Sequence, residues 1–216
     1  MNVYFISGLA ADRRVFQNIV LPDGYTPFYL DWITPHKNET LQQYAGRLTE
    51  KIDPSKPFVV VGVSFGGMLA IEIAKRFPSS KAILISSAPS PKNLPVYFRW
   101  AGKLKLHRLV PVSLLKLAAQ TKRLFTVETS EQKEILNEMI RKSDPELVRW
   151  SINAILNWHS EEPHAQCVHI HGSRDEILPL KYAGGTHVIN GAGHMMVLTR
   201  AKEINSIIKE ALLNGR

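Results

Sequence analysis

Ser64 lies in Gly62-Val63-Ser64-Phe65-Gly66, a G-x-S-x-G segment whose residue types suit nucleophilic attack by a serine hydroxyl. The apolar run Phe58-Val59-Val60-Val61 precedes it, and Met68 to Arg76 reads as a helix after it. A strand, a tight turn at 62–67 and a helix hold such a hydroxyl at the edge of a sheet. The glycines allow close backbone approach, and the helix N-terminus favours developing negative charge. The segment lacks the G-x-G-x-x-G of a dinucleotide site and the Gly-Lys-Ser/Thr of a phosphate loop. The plainer alternative is a small-residue turn that packs a helix on a strand.

A serine nucleophile needs a base within hydrogen-bond reach, and the base needs an orienting acid. Of the eight histidines, His194 stands out in Gly191-Ala192-Gly193-His194, after the last expected strand. Asp175 follows another expected strand in His171-Gly172-Ser173-Arg174-Asp175, with Glu176 as the nearest substitute. The chain order Ser, Asp, His is the one an α/β sheet enzyme uses. Two backbone donors are needed for the oxyanion. Phe65, after the nucleophile, supplies one N–H. Leu9, or next Ala10, in the loop after the first strand supplies the other. His169 and His171 alternate along a strand and share a side, but further clustered ligands are lacking, so no metal is expected. His171 is expected to pack at the strand end, and His187 to be structural.

The elements that position these residues follow from periodicity. Strands are expected at Val3–Ile6, Phe28–Leu30, Phe58–Val61, Lys81–Ser86, Gln166–Ile170 and Thr186–Ile189. Helices are expected at Arg14–Ile19, at Thr40–Ile52 with Leu41, Tyr44, Ala45 and Leu48 on one side, and at Glu203–Leu213. Pro54 and Pro57 are expected to end the second of these. This alternation predicts a parallel sheet with right-handed crossovers. From Pro91 to about Ser160 the rhythm turns helical, with stretches at Leu104–Leu117, Glu131–Ile140 and Glu146–Trp158. That segment reads as an insertion, with Tyr97, Phe98, Trp100, Trp150 and Trp158 as apolar material for a pocket or for holding the insertion down.

The residues Ser7-Gly8-Leu9, GVSFG, HGSRDEILP and GAGHMM together make the chain resemble the α/β-hydrolase superfamily over almost its whole length. The resemblance implies a reduced α/β-hydrolase fold: a mostly parallel sheet of about six strands flanked by helices, with a helical cap insertion. The core would be 1–90 and 161–216, and the cap 91–160. It implies Ser64 as nucleophile, Asp175 as acid, His194 as base, and Leu9 and Phe65 as oxyanion donors. Ser7-Gly8 stands where the family often has His-Gly, which changes the side-chain support of that loop. The chain starts directly at the strand before this loop, as in a form without the usual N-terminal hairpin. The implied activity is hydrolysis of a carboxylic ester or thioester through an acyl-enzyme, with no cofactor and no metal. A triad-dependent acyltransferase or lyase, or a noncatalytic ligand-binding protein, is the alternative.

The chain has 216 residues, 44% of them hydrophobic, enough for one sizeable core. The formal charge is +8, and it belongs to one segment. Lys92, Arg99, Lys103, Lys105, Arg108, Lys116, Lys122 and Arg123 fall in a stretch without Asp or Glu, and the rest of the chain is close to neutral. A solvated surface, a site for an anionic substrate and contact with an anionic membrane surface are the three readings of this basic cap. No nucleic-acid motif accompanies it. Oligomeric state is not legible. The single cysteine, Cys167, allows no intrachain disulfide. With no basic leader and no membrane-length apolar run, a cytoplasmic location is expected.

Overall fold

The computed structural model describes residues 1–77, 79–104, 110–121, 127–160 and 167–213. Six strands form one sheet: β1 (Asn2–Ile6), β2 (Thr26–Tyr29), β3 (Phe58–Val63), β4 (Lys81–Ile85), β5 (Cys167–Gly172) and β6 (His187–Ile189). Their order is β2-β1-β3-β4-β5-β6, and all five neighbouring pairs are parallel. β3, central in this order, is buried at every position. Its unbroken apolar run is what a strand covered on both faces requires.

Alternation along the strands divides the core between the two faces. Tyr4, Phe58, Val60 and Leu84 pack under α1 (Leu41–Leu48) and α2 (Phe65–Arg76). Val3, Val59, Val61 and Ile83 pack with the C-terminal helices α8 (Met196–Thr199) and α9 (Ala201–Leu213). The four apolar residues expected on one side of the first amphipathic helix, Leu41, Tyr44, Ala45 and Leu48, are all buried. Thr40 caps that helix through a reciprocal bond pair with Gln43. The helix ends at Leu48 and a 3-10 turn, Thr49–Lys51, follows, so it stops before either proline.

Among the described residues, four helices are inserted between β4 and β5: α3 (Val96–Lys103), α4 (Val112–Thr121), α5 (Ser130–Lys142) and α6 (Pro145–Leu156). Thr129 caps α5 with Gln132, and Asp144 caps α6 ahead of Pro145. Leu136, Met139 and Ile140 of α5 join one core layer, while Trp150 and Ala154 of α6 join the other. The insertion thus ties both layers together beside the sheet.

Several expected boundaries shift. The helix expected at Arg14–Ile19 is a 3-10 turn, Arg13–Phe16. The turn expected over 62–67 contracts to Ser64 itself, because β3 runs to Val63 and α2 begins at Phe65. Short helices α7 (Leu180–Ala183) and α8 carry too few residues for a periodic signal. Gln166, Leu106, Leu109, Lys105, Arg108, Lys122 and Arg123 lie outside the described residues.

Candidate active site

Ser64 sits between β3 and α2 with φ 52° and ψ −118°. This conformation costs a non-glycine residue about 1–3 kcal/mol and persists only where its surroundings enforce it. Ser64 N–H donates to Ile85 O at 2.9 Å, and Ser64 O accepts from Gly67 N at 3.0 Å. Ser87 Oγ also donates to Ser64 O, at 2.6 Å. The glycines matter by proximity. A Cβ on Gly62 would stand 2.2 Å from Gly66 O, and one on Gly66 would stand 2.3 Å from both Ile6 O and Ser7 O. Strand, turn and helix cross too closely there for any side chain.

Ser64, His194 and Asp175 form one hydrogen-bonded line. His194 Nε2 is 3.0 Å from Ser64 Oγ, and His194 Nδ1 is 2.8 Å from Asp175 Oδ2. Asp175 Oδ1 accepts from the Ile177 and Leu178 N–H groups at 2.9 and 2.8 Å. A carboxylate only accepts, so His194 Nδ1 carries a proton, and with that tautomer Nε2 faces Ser64 Oγ as an acceptor. Burial works against ionisation of Asp175. The opposing pull of His194, by charge and hydrogen bond, with the Leu178 N–H and His171 behind it, is larger and holds the carboxyl below the usual aspartate value. Glu176, the substitute considered from sequence, is exposed to solvent. Of these two carboxylates, the loop after β5 turns Asp175 inward.

The loop after β1 closes with Ala11 N–H donating to Gly8 O at 3.0 Å, and Ala10 adopts φ 59°. Ser7 Oγ and Trp32 Nε1 both donate to Ala11 O, at 3.0 and 2.7 Å. Ser7 thereby supplies side-chain support to the loop from within. Phe65 is the first residue of α2, so its N–H is one of the helix's donors without an intrahelical acceptor. Its ring is fully buried, stacked on Trp32 at 5.7 Å and edge-on to Trp150 at 5.8 Å.

A cavity of about 460 Å³ opens on Ser64 and His194. Leu9, Ala10 and Val15 line it from the core, and Phe98, Leu136, Ile140 and Ile152 from the insertion. Among the described residues Lys116 is the one formally charged side chain on its wall. Its ammonium is engaged by the carbonyls at the end of α5, those of Arg141, at 3.3 Å, and Ser143. Of the two roles open to them, Tyr97 and Phe98 line the cavity, whereas Trp100 is 64% exposed. Trp150 and Trp158 are off the wall and anchor the insertion: Trp150 Nε1 donates to Glu39 O and Trp158 Nε1 to Glu72 Oε1, each at 2.9 Å. Lys92 and Lys103 are exposed. Cys167 is not part of the site, and burial pushes its thiol up to about 12. No group of three potential metal-ligating side chains occurs among the described residues. Ser87 and the cavity wall on α5 had no local sequence signal, since each is defined by what lies across from it.

The Alpha/beta hydrolase family profile matches residues 3–207. The chain belongs to this family. This α/β-hydrolase is similar in fold to MenH from S. aureus, with 16% identity, a TM-score of 0.75 and coverage of 99% of this chain and 94% of that one. A hydrolase from Pseudomonas aeruginosa matches with 13% identity, a TM-score of 0.75 and coverage of 98% and 89%. A malate-bound thermophilic esterase from Thermogutta terrifontis matches with 17% identity, a TM-score of 0.66 and coverage of 99% and 90%. No curated protein matches the α/β-hydrolase chain in sequence. No helix among its described residues is long and apolar enough to cross a membrane.

Proposed function

We propose that the protein is a serine hydrolase that cleaves a carboxylic ester or thioester with an apolar acyl group. The observation that carries this reading is the line from Ser64 Oγ through His194 to Asp175, opening on an apolar cavity. His194 Nε2 accepts the Ser64 proton as Oγ attacks the substrate carbonyl. Asp175 orients the imidazolium and offsets its charge. The Phe65 N–H, at the start of α2, and the Leu9 N–H receive the oxyanion. His194 then gives its proton to the leaving alcohol or thiol, and an acyl group remains on Ser64. Water, deprotonated by His194, releases the acid and restores the serine. The scheme uses no metal and no organic cofactor.

Residues 91–160 act as the cap in this reading, and 1–90 with 161–216 as the core. The engaged ammonium of Lys116 favours an uncharged acyl group over an anionic one. The lone Cys167 supports function in the cytoplasm. A panel of acyl esters and thioesters run with wild type and Ser64→Ala tests the proposal. Turnover and fluorophosphonate labelling in wild type, both lost in folded Ser64→Ala, are expected. Turnover that survives Ser64→Ala would reject it.

A further inference from the structure

Two imidazoles lie behind the site and take no part in the steps above. His169 and His171 alternate on β5 and point to the same side. They are 3% and 0% exposed. His169 Nε2 is 3.1 Å from His171 Nδ1, and the rings meet edge to face. His171 Nε2 is 2.7 Å from Leu178 O and 3.4 Å from Asp175 Oδ2.

The acceptors determine where the protons are. Leu178 O can only accept, so His171 Nε2 carries a hydrogen. Burial lowers the pKa of both rings, that of His169 to about 4, so the pair is neutral near pH 7. A neutral His171 protonated on Nε2 has a bare Nδ1. That nitrogen faces His169 Nε2, and the Ser87 backbone bonds His169 as well. The result is a hydrogen bond donated by His171 Nε2 to the Leu178 carbonyl, with the His169 ring against its other nitrogen. The N–H group of Leu178, in the preceding peptide, is bonded to Asp175 Oδ1. The His171 hydrogen bond therefore holds the loop residue that holds the carboxylate.

We propose that His171 is a positioning residue for Asp175, fixing its carboxylate on His194 through the backbone of Leu178. This rests on the Ser64–His194–Asp175 reading above. The alternative is that the two rings only fill space under β5, in which case any aromatic of similar size would serve.

The test compares His171→Phe with His171→Gln in the full chain. Phenylalanine keeps a ring but donates nothing. Glutamine places an amide N–H near the position of Nε2. His171→Phe is expected to lower kcat about 10- to 100-fold with KM unchanged, the usual scale for an outer-shell orienting partner. His171→Gln is expected to recover most of it. The low-field proton resonance of the His194–Asp175 hydrogen bond is expected in wild type and His171→Gln, and to be lost or displaced in His171→Phe. Wild-type kcat and an unchanged resonance in His171→Phe would overturn the proposal. An equal loss in both variants, each with a native circular dichroism spectrum, would overturn it too, because packing alone would then explain the effect. If His171→Phe does not fold, a fall in kcat or a displaced resonance in His171→Gln decides against it in the same way. Failure of the parent reading is separate, since it would appear as turnover in Ser64→Ala.

Discussion

Asp175→Asn isolates the orienting role of the carboxylate with almost no change in shape. Asparagine offers one oxygen and one NH2 group. The Ile177 and Leu178 N–H groups, 2.9 and 2.8 Å from Oδ1, can be satisfied only by the oxygen. The NH2 must then occupy the Oδ2 position, 2.8 Å from His194 Nδ1, and donate there. Nδ1 becomes the bare nitrogen and the proton moves to Nε2. Nε2, 3.0 Å from Ser64 Oγ, then donates where it should accept, and Ser64 keeps its proton. A wrong tautomer of this kind costs about ten-thousand-fold in kcat. That is about 5 kcal/mol of barrier. The assay is steady-state hydrolysis of a chromogenic ester, with the rate of fluorophosphonate labelling as a second readout. Glu176→Gln, at an exposed neighbour, is expected to retain wild-type turnover. Activity of Asp175→Asn within tenfold of wild type would refute the tautomer argument. A comparable loss in Glu176→Gln would assign the acid to the wrong residue.

Acyl-chain length should matter in steps. Each buried methylene contributes about 0.8 kcal/mol, so kcat/KM should rise about fourfold per carbon until the 460 Å³ cavity is filled; a flat series would exclude the cavity as the acyl site. Gly66→Ala places a methyl 2.3 Å from two backbone oxygens and is expected to cost about 1–3 kcal/mol and abolish labelling of Ser64; a normal melting curve with normal labelling would show the crossing to be slack. Stability should fall on acidification in a defined order. Unfolded His169 binds a proton near pH 6.5 and the buried ring only near 4, so the unfolded state holds more protons in that window and about 3 kcal/mol is lost across it. Asp175, with its carboxyl held below 3.8, adds its own loss only under that pH. Melting temperatures from pH 7 to 4 should therefore slope less in His169→Gln than in wild type, and equal slopes would count against this assignment.

The chemistry-bearing residues were legible because each is marked by its immediate neighbours. Gly62 and Gly66 frame Ser64, Gly172 precedes the Asp175 loop, and Gly191 and Gly193 precede His194, so small residues at strand ends signal where backbone must turn or crowd. The covered strands were legible for a similar reason, since an unbroken run such as Phe58–Val61 suits few places other than the centre of a parallel sheet. What the sequence could not decide is whatever depends on residues meeting from far apart. His194 and Ser64 are 130 positions apart, and Ser87 reaches Ser64 O from the end of another strand. Glu176, left by the sequence as the nearest substitute for Asp175, is separated from it in the same way, since of the two adjacent residues the loop turns Asp175 inward and leaves Glu176 exposed. The same holds for the insertion's tryptophans. Their apolar character was plain, but that Trp150 and Trp158 anchor the insertion to the core instead of lining the cavity depends on Glu39 O and Glu72 lying opposite them. Local spacing specifies which residues can react; tertiary packing decides which of them face one another, because a hydrogen bond or an apolar contact forms only across the distances that the folded sheet sets.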